Sequence, residues 1–415
     1  MSDPTRARTR PPLWPFILPA AAILMITMGT RQTLGLFVSP INTATGLGIV
    51  AISFAMAIGQ FFWGASQSVF GAVADRYGPT PVLMSGGILL ALGLALTPFV
   101  SSQWMLLATV GFLTSTGAGA GSFAILIGAT ARQVPAEKRA FASGFINAGG
   151  SFGQFLFAPL VQALISASGW VTAIVAMAGS ALLTLPLARS LSGSSSKPAP
   201  AAAGVPAHAP KPELGLRQQL RIALRNKNYW LVHASFFTCG FHIAFLITHL
   251  PGEAQLCGLS AGVAATSIAI IGLANIAGSL GAGVLGSVYR MKWLLFWMYM
   301  TRAAVVAIYL AAPKTSFTFY AFAFVLGLTW LSTVPTTAGL VGKLFGMRYL
   351  ATLFGLTLFT HQIGGFFGAW LGGLALASTG SYAWMWYADI ALASAAALAN
   401  LPIREAPLAM EIAPA

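Results

Sequence analysis

Residues 71–100 read GAVADRYGPTPVLMSGGILLALGLALTPFV. A short charged turn gives way to the stretch from Pro81 to Val100, which carries no charge at all. At about 1.5 Å per residue, a helix of that length covers the roughly 30 Å of hydrocarbon in a bilayer. Similar runs recur from Leu13 to Leu401. Of 415 residues, 57% are hydrophobic and 7% charged, and the mean hydropathy is +0.79. Soluble domains carry about 25% charged residues, so this chain could not clothe a water-facing surface. It reads as a polytopic, all-α membrane protein.

Hydropathy places twelve spans, near 13–36, 48–70, 81–100, 104–130, 141–165, 171–188, 229–250, 262–285, 292–311, 317–340, 350–376 and 382–401. The chain holds 22 Lys and Arg against 8 Asp and Glu, a net charge of +14. In a soluble protein that balance would suggest nucleic acid, but the placement of the charges argues otherwise. With both termini cytoplasmic, nineteen of the basic residues fall inside, Lys314 falls outside, and Arg31 and Arg302 lie within spans. That asymmetry is the positive-inside signature. It points to orientation and anionic cytoplasmic lipid rather than to nucleic acid. The apolar run after Arg10 is too long for a signal-peptide core, so it is expected to stay as the first membrane helix. The expected location is the cell membrane, as in a bacterial inner-membrane protein.

The longest polar interval separates spans 6 and 7. It runs from Arg189 through Ser192–Ser196 and a Pro/Ala tract to Pro212, a composition that cannot pack a core. Leu216, Leu220 and Leu224 follow beside Arg217, Arg221 and Arg225, the pattern of a basic amphipathic helix on the cytoplasmic leaflet. The expected organisation is a cytoplasmic tail (1–12), a six-helix bundle (13–188), a linker with the basic helix (189–228), a second six-helix bundle (229–401) and a tail (402–415). The halves echo one another. Gly71-Ala72-Val73-Ala74-Asp75-Arg76 after span 2 matches Gly286-Ser287-Val288-Tyr289-Arg290 after span 8, and spans 5 and 11 align Gly144 with Gly355 and Gly153 with Gly364. Such repeats are common in secondary transporters.

The turn GAVADRYGPTPV resembles the loop signature of the major facilitator superfamily, G-x-L-A-D-R-x-G-R-K, with Pro79 and Thr80 in place of its two basic residues. The resemblance implies two pseudo-symmetric six-helix bundles, with Asp75 and Arg76 in a charge latch at the N-terminus of helix 11 and Arg132 as the candidate partner. A carboxylate suits a helix N-terminus, where unpaired N–H groups gather. Span 1 ends in Gly29-Thr30-Arg31-Gln32-Thr33-Leu34-Gly35-Leu36-Phe37, and Lys138-Arg139-Ala140-Phe141-Ala142-Ser143-Gly144 opens span 5. Together these resemble the branch of monocarboxylate transporters and oxalate–formate antiporters, which implies that a span 1 cation, here Arg31, helps bind a carboxylate. That branch usually carries an arginine in span 8, where this chain has Ser279.

Ionised groups in hydrocarbon cost about 2.5–3.5 kcal/mol each on insertion scales, so each needs a partner or a wet cavity. Arg302 and Asp389 lie about 15 and 18 Å from the cytoplasmic edge of spans 9 and 12. They are expected either to pair structurally or, alternatively, to free Arg302 for the cavity with Asp389 or His361 as a switchable partner. His242 and His361 fall near mid-depth of spans 7 and 11 and could bond a carboxylate or carry a proton. Gln362, Gln60, Asn147 and Gln154 are further candidates for orienting a ligand. Gly117, Gly149, Gly153, Gly278 and their neighbours suit close helix packing. Cys239 and Cys257 show no metal spacing and read as packing residues.

No P-loop, metal-ligand cluster or nucleophile–base set is visible, so neither an ATP-driven pump nor an enzyme is expected, and no cofactor. The expectation is a monomeric secondary transporter of a small organic anion, monocarboxylate-like, working by alternating access with proton coupling or exchange. The alternative is an exporter of hydrophobic or cationic compounds, with Asp389 as the one intramembrane acid available to attract a cation.

Overall fold

The computed structural model describes residues 13–131, 133–135, 138–192, 215–346 and 349–406. Every regular element among them is helical. The reason is solvent: in hydrocarbon the backbone must satisfy its own polar groups, which a helix does within a single segment. In chain order we number α1 (Trp14–Thr45), α2 (Ile49–Tyr77), α3 (Pro79–Leu96), α4 (Gln103–Thr130), α5 (Arg139–Leu182) and α6 (Thr184–Ser190). There follow α7 (Leu216–Arg225), α8 (Lys227–Leu256), α9 (Ala261–Val288), α10 (Met291–Ala311), α11 (Ser316–Thr329), α12 (Thr333–Phe345), α13 (Leu350–Thr379) and α14 (Ala383–Asn400). Nine helical segments among the described residues are long and apolar enough to cross a membrane.

Two breaks bring this architecture close to the expected order of spans. Gly169 adopts φ 82°, open to glycine without a Cβ penalty, and divides α5 into two rods. Gly78, at φ 90°, turns the chain from α2 directly into α3. Large apolar side chains face outward, Phe317 at 78% and Ile308 at 67% exposed, as a lipid-immersed surface allows and a soluble one seldom does. The tails 1–12 and 407–415, Arg132 and the linker 193–214 lie outside the described residues.

Small residues set the tightest packing. In the first half, Cβ atoms added at Gly149 and Gly153 would strike the carbonyls of Ala21 and Met25 on α1. In the second half, Cβ atoms added at Gly364 and Gly368 would strike the carbonyls of Phe237 and Phe241 on α8. Gly153 and Gly364, aligned in sequence, therefore do the same job in the two halves. Gly144 and Gly355 also correspond, since an added Cβ at either would meet nothing within 4 Å.

The halves meet along two seams. Along α2 and α13, Ser53 approaches Gly373, Gln60 approaches Gly365 and Gln362 approaches Gly64. Along α5 and α9, Gly272 lies against Ser151 and Phe155. Toward the end where α1 begins and α14 ends the packing loosens: Gly71, Gly144, Gly281, Gly283, Gly286 and Gly355 have open space where a Cβ would sit. At the opposite end Gly35 presses on the Ile247 carbonyl so closely that no Cβ would fit. One apolar cluster, including Phe37, Ile52, Phe245 and Leu250, joins the halves there. The molecule is open at its terminal end and sealed at the other.

Candidate functional site

A small pocket, with a volume of about 20 Å³, lies beneath this seal, lined by Arg31, Leu34, Gly35, Met56, Gly59, Gln60, Val110, Ser115, Ile247 and Thr248. Four helices contribute: α1, α2, α4 and α8. Arg31 is placed by α1 just before that helix tightens into a 3-10 turn over Leu34–Phe37. Its guanidinium donates to Gln60 Oε1 and stacks over the Trp63 ring, 3.9 Å from the centroid. Both partners are neutral, and no acidic side chain pairs with Arg31 among the described residues. A planar cation on an aromatic face, with N–H donors left over, is suited to receive a carboxylate in a forked pair.

The wall opposite is shaped by a π-helical stretch, Leu107–Thr114, in α4. The extra residue in this turn lets Ser115 Oγ donate back to the Val110 carbonyl at 3.0 Å, and both residues line the cavity. Such π turns often accompany functional sites. Trp63, Ser115 and Thr248 were absent from the expected set. Trp63 had a readable signal, since it stands three residues after Gln60 and shares its helical face. The other two depend on the π turn and on the α1–α8 contact, which no local pattern announces.

Gln32, the next residue after Arg31, turns the other way. Its Nε2 donates to Gln154 Oε1 at 3.4 Å, and Gln154 Nε2 donates to the Ile268 carbonyl of α9 at 3.1 Å. Gln60, meanwhile, sits against Gly365 of α13. Adjacent residues of α1 thus reach both seams.

The remaining expected residues lie elsewhere. Asn147 is half-buried on α5, nearer its open end, and does not line the cavity. His361 Nδ1 lies 3.2 Å from Gln362 Nε2, and Gln362 packs on Gly64, one turn from Gln60. Gln362 therefore borders the α2–α13 seam, while the His361 ring packs on Phe236 of α8, 4.9 Å between centroids, and lies beside Cys239; neither lines the cavity. Asp75 lies in α2, and its side chain is outside the described residues, as is all of Arg132. Arg76 is exposed, its guanidinium 5.2 Å from the Tyr77 ring.

Arg302 and Asp389 occupy one buried cluster in the second half, but the expected direct ion pair does not form. Asp389 Oδ2 lies 2.6 Å from His242 Nδ1, and both side chains are fully buried. Arg302 donates to the carbonyls of Thr329 and Trp330, the latter at 2.7 Å, and its Nη1 lies 3.2 Å from Cys239 Sγ. The cause is the interruption between α11 and α12 at residues 330–332, which frees carbonyls that nothing within the helix can satisfy. A guanidinium has donors enough for several acceptors at once. On the N–H side of the same break, Asn275 Oδ1 accepts from the Leu331 amide at 2.9 Å, and Asn275 Nδ2 donates to Ser151 Oγ across the seam at 2.8 Å. This cluster fixes a broken helix, and His242 is turned from the cavity into it.

Among the described residues no group of three His, Cys, Asp or Glu side chains could hold a metal ion. Comparison with known proteins matches residues 20–369 to the family described as Major Facilitator Superfamily. The chain is similar to rat monocarboxylate transporter 13, 24% identical over 90% of this chain and 86% of that one. It is also similar to the oxalate:formate antiporter of Oxalobacter formigenes, 22% identical over 89% and 86%. Among solved structures, a D-xylose–proton symporter superposes with a TM-score of 0.71 at 15% identity, covering 95% of this chain and all of that one. A bacterial homologue of the human lysosomal transporter Spinster, inward-facing and unoccupied, superposes at 0.69 with 13% identity and 94% of each chain covered.

Proposed function

Because the chain belongs to the Major Facilitator Superfamily, and is therefore a multi-pass membrane transporter, we propose that it carries a small organic anion of the monocarboxylate class by alternating access around Arg31. The observation that supports this most is the guanidinium on the cavity wall with neutral partners, Gln60 and Trp63, and no acid among the described residues to cancel its charge. An entering carboxylate would displace the weaker Gln60 acceptor and take its place. Met56, Leu34, Val110 and Ile247 would receive the apolar part. Thr248 and Ser115 would bond a second polar atom. The likeness to a monocarboxylate transporter and an oxalate:formate antiporter favours the same class.

In this reading the halves rock about the two seams, and a solute held at Arg31 leaves through the end that is open here. Gln362 would border the route, and His361, beside Phe236 and Cys239 in the second half, could couple a gained or lost proton to the motion of α13. Export of cationic compounds is disfavoured by chemistry, since the two acids buried in long helices among the described residues are both engaged, Asp389 by His242 and Glu253 by the Tyr309 hydroxyl.

The test is thermal unfolding of the purified protein against formate, acetate, oxalate and a hydrophobic ammonium ion. Carboxylates should raise the midpoint of the wild type and leave Arg31→Ala unmoved. Equal shifts in both proteins, or a shift with the ammonium ion only, would remove the assignment.

A further inference from the structure

Helix α7 carries three distinct stripes around a ten-residue rod. Gln219 and Ala223 face the protein and are buried. Leu216, Leu220 and Leu224 form the next row, Leu216 at 40% and Leu224 at 45% exposed. One position further round stand Arg217, Arg221 and Arg225, all exposed and without an acidic partner among the described residues. The far end is fastened by Trp230, whose Nε1 donates to the Leu224 carbonyl at 2.7 Å.

We propose that this face of α7 is a binding surface for the phosphate headgroups of anionic phospholipid, and that lipid held there steadies α12 and α13. The chemistry points to lipid because leucines and arginines lie side by side on one exposed face. A helix lying flat at a bilayer surface immerses its apolar row in the acyl boundary and sets its cations at headgroup level. An indole at the same level, Trp230, is the usual interfacial anchor. An acidic protein partner would use the arginines and leave the leucine row wet.

The surface is wired to the transport fold. Gln219 Nε2 donates to the Phe345 carbonyl at 2.9 Å, at the last residue of α12. Tyr229 OH donates to the Leu353 carbonyl at 2.7 Å, in the first turn of α13. Tyr229 also stacks edge-on against Phe345, with centroids 5.2 Å apart. The connection between α12 and α13 is therefore gripped on both flanks by α7 and the start of α8, and α13 forms the seam with α2. Headgroups that fix α7 must restrain that connection, whichever solute the cavity takes.

The test uses the purified full chain in neutral detergent, titrated with phosphatidylglycerol or phosphatidylcholine. Phosphatidylglycerol should raise the unfolding midpoint and slow amide exchange both in α7 and in α12, and phosphatidylcholine should do neither. Each arginine near an anionic surface adds roughly fivefold to association, so the triple variant Arg217→Gln, Arg221→Gln, Arg225→Gln should need on the order of a hundredfold more phosphatidylglycerol. Gln219→Ala should keep the slowed exchange in α7 and lose it in α12. The proposal is overturned if the wild type responds to both lipids alike or to neither, or if the triple variant matches the wild type. Self-association with no lipid response would overturn it equally, by giving the face to a second copy of the chain.

Discussion

The guanidinium of Arg302 donates to the carbonyl of Trp330 at 2.7 Å, at the point where α11 stops and α12 has yet to begin. A cation buried at 1% exposure acts here as the cap of an interrupted helix, at the negative end of its dipole. Arg302→Met would leave two carbonyls without donors where no bulk water reaches. The expected cost is about 3–5 kcal/mol, the usual penalty for stripping one member from a buried polar arrangement. Arg302→Lys should recover only part of it, because an ammonium lacks the planar fork. Thermal unfolding in detergent measures both, and a methionine variant as stable as the wild type would refute the capping role.

Asp389 lies within Coulombic range of Arg302 although its hydrogen bond goes to His242. The carboxylate and the guanidinium should then balance one another through the protein. Asp389→Asn combined with Arg302→Met is expected to be less destabilised than the sum of the two single changes, by about 0.5–3 kcal/mol. A double-mutant cycle on unfolding free energy gives the coupling directly. Strict additivity would mean that the two charges ignore each other.

At the cavity, Arg31→Ala should weaken carboxylate binding about a hundredfold, the loss of roughly two charge-assisted hydrogen bonds. Trp63→Leu removes the aromatic face under the cation and should cost about threefold to thirtyfold. Calorimetric titration of the purified variants separates the two, and a Trp63→Leu protein with unchanged affinity would show that the ring only fills space.

The asymmetry between the two ends predicts opposite outcomes for similar changes. Gly35→Val would force α1 away from the Ile247 carbonyl, with an overpacking cost of about 1–3 kcal/mol. It should raise alkylation of a cysteine placed at Thr248 from the sealed side. Gly355→Leu enters open space and should leave stability and binding intact while slowing transport, because the added side chain obstructs closure of the terminal end. If Gly355→Leu unfolds the protein, that end is packed and the open description fails.

The membrane nature and the all-helical class of the fold could be read from composition and hydropathy, because lipid imposes one requirement on every segment: apolar surface with internal hydrogen bonding. Arg31 and Gln60 were also legible, since polar groups in such a setting stand out by their scarcity. The partner of Asp389 was not. Depth along a helix can be counted from the sequence, but facing direction cannot, and Arg302 with Asp389 at one depth concealed that the acid meets His242. The interruption after Thr329 had a local signal in Pro335, which offers no N–H to the Leu331 carbonyl four residues earlier. What stabilises the break is not local: the donor Arg302 and the acceptor Asn275, supplied by α10 and α9.

Arg31 and Gln32 share a peptide bond, yet one faces the pocket and the α2–α13 seam while the other grips the α5–α9 seam through Gln154. In the proposed reading, a twist of α1 that seats an anion would be a torque on both hinges at once. Cargo and rocking motion would then be geared through two adjacent residues, so that an empty carrier and a loaded one would differ mechanically before either bundle had moved.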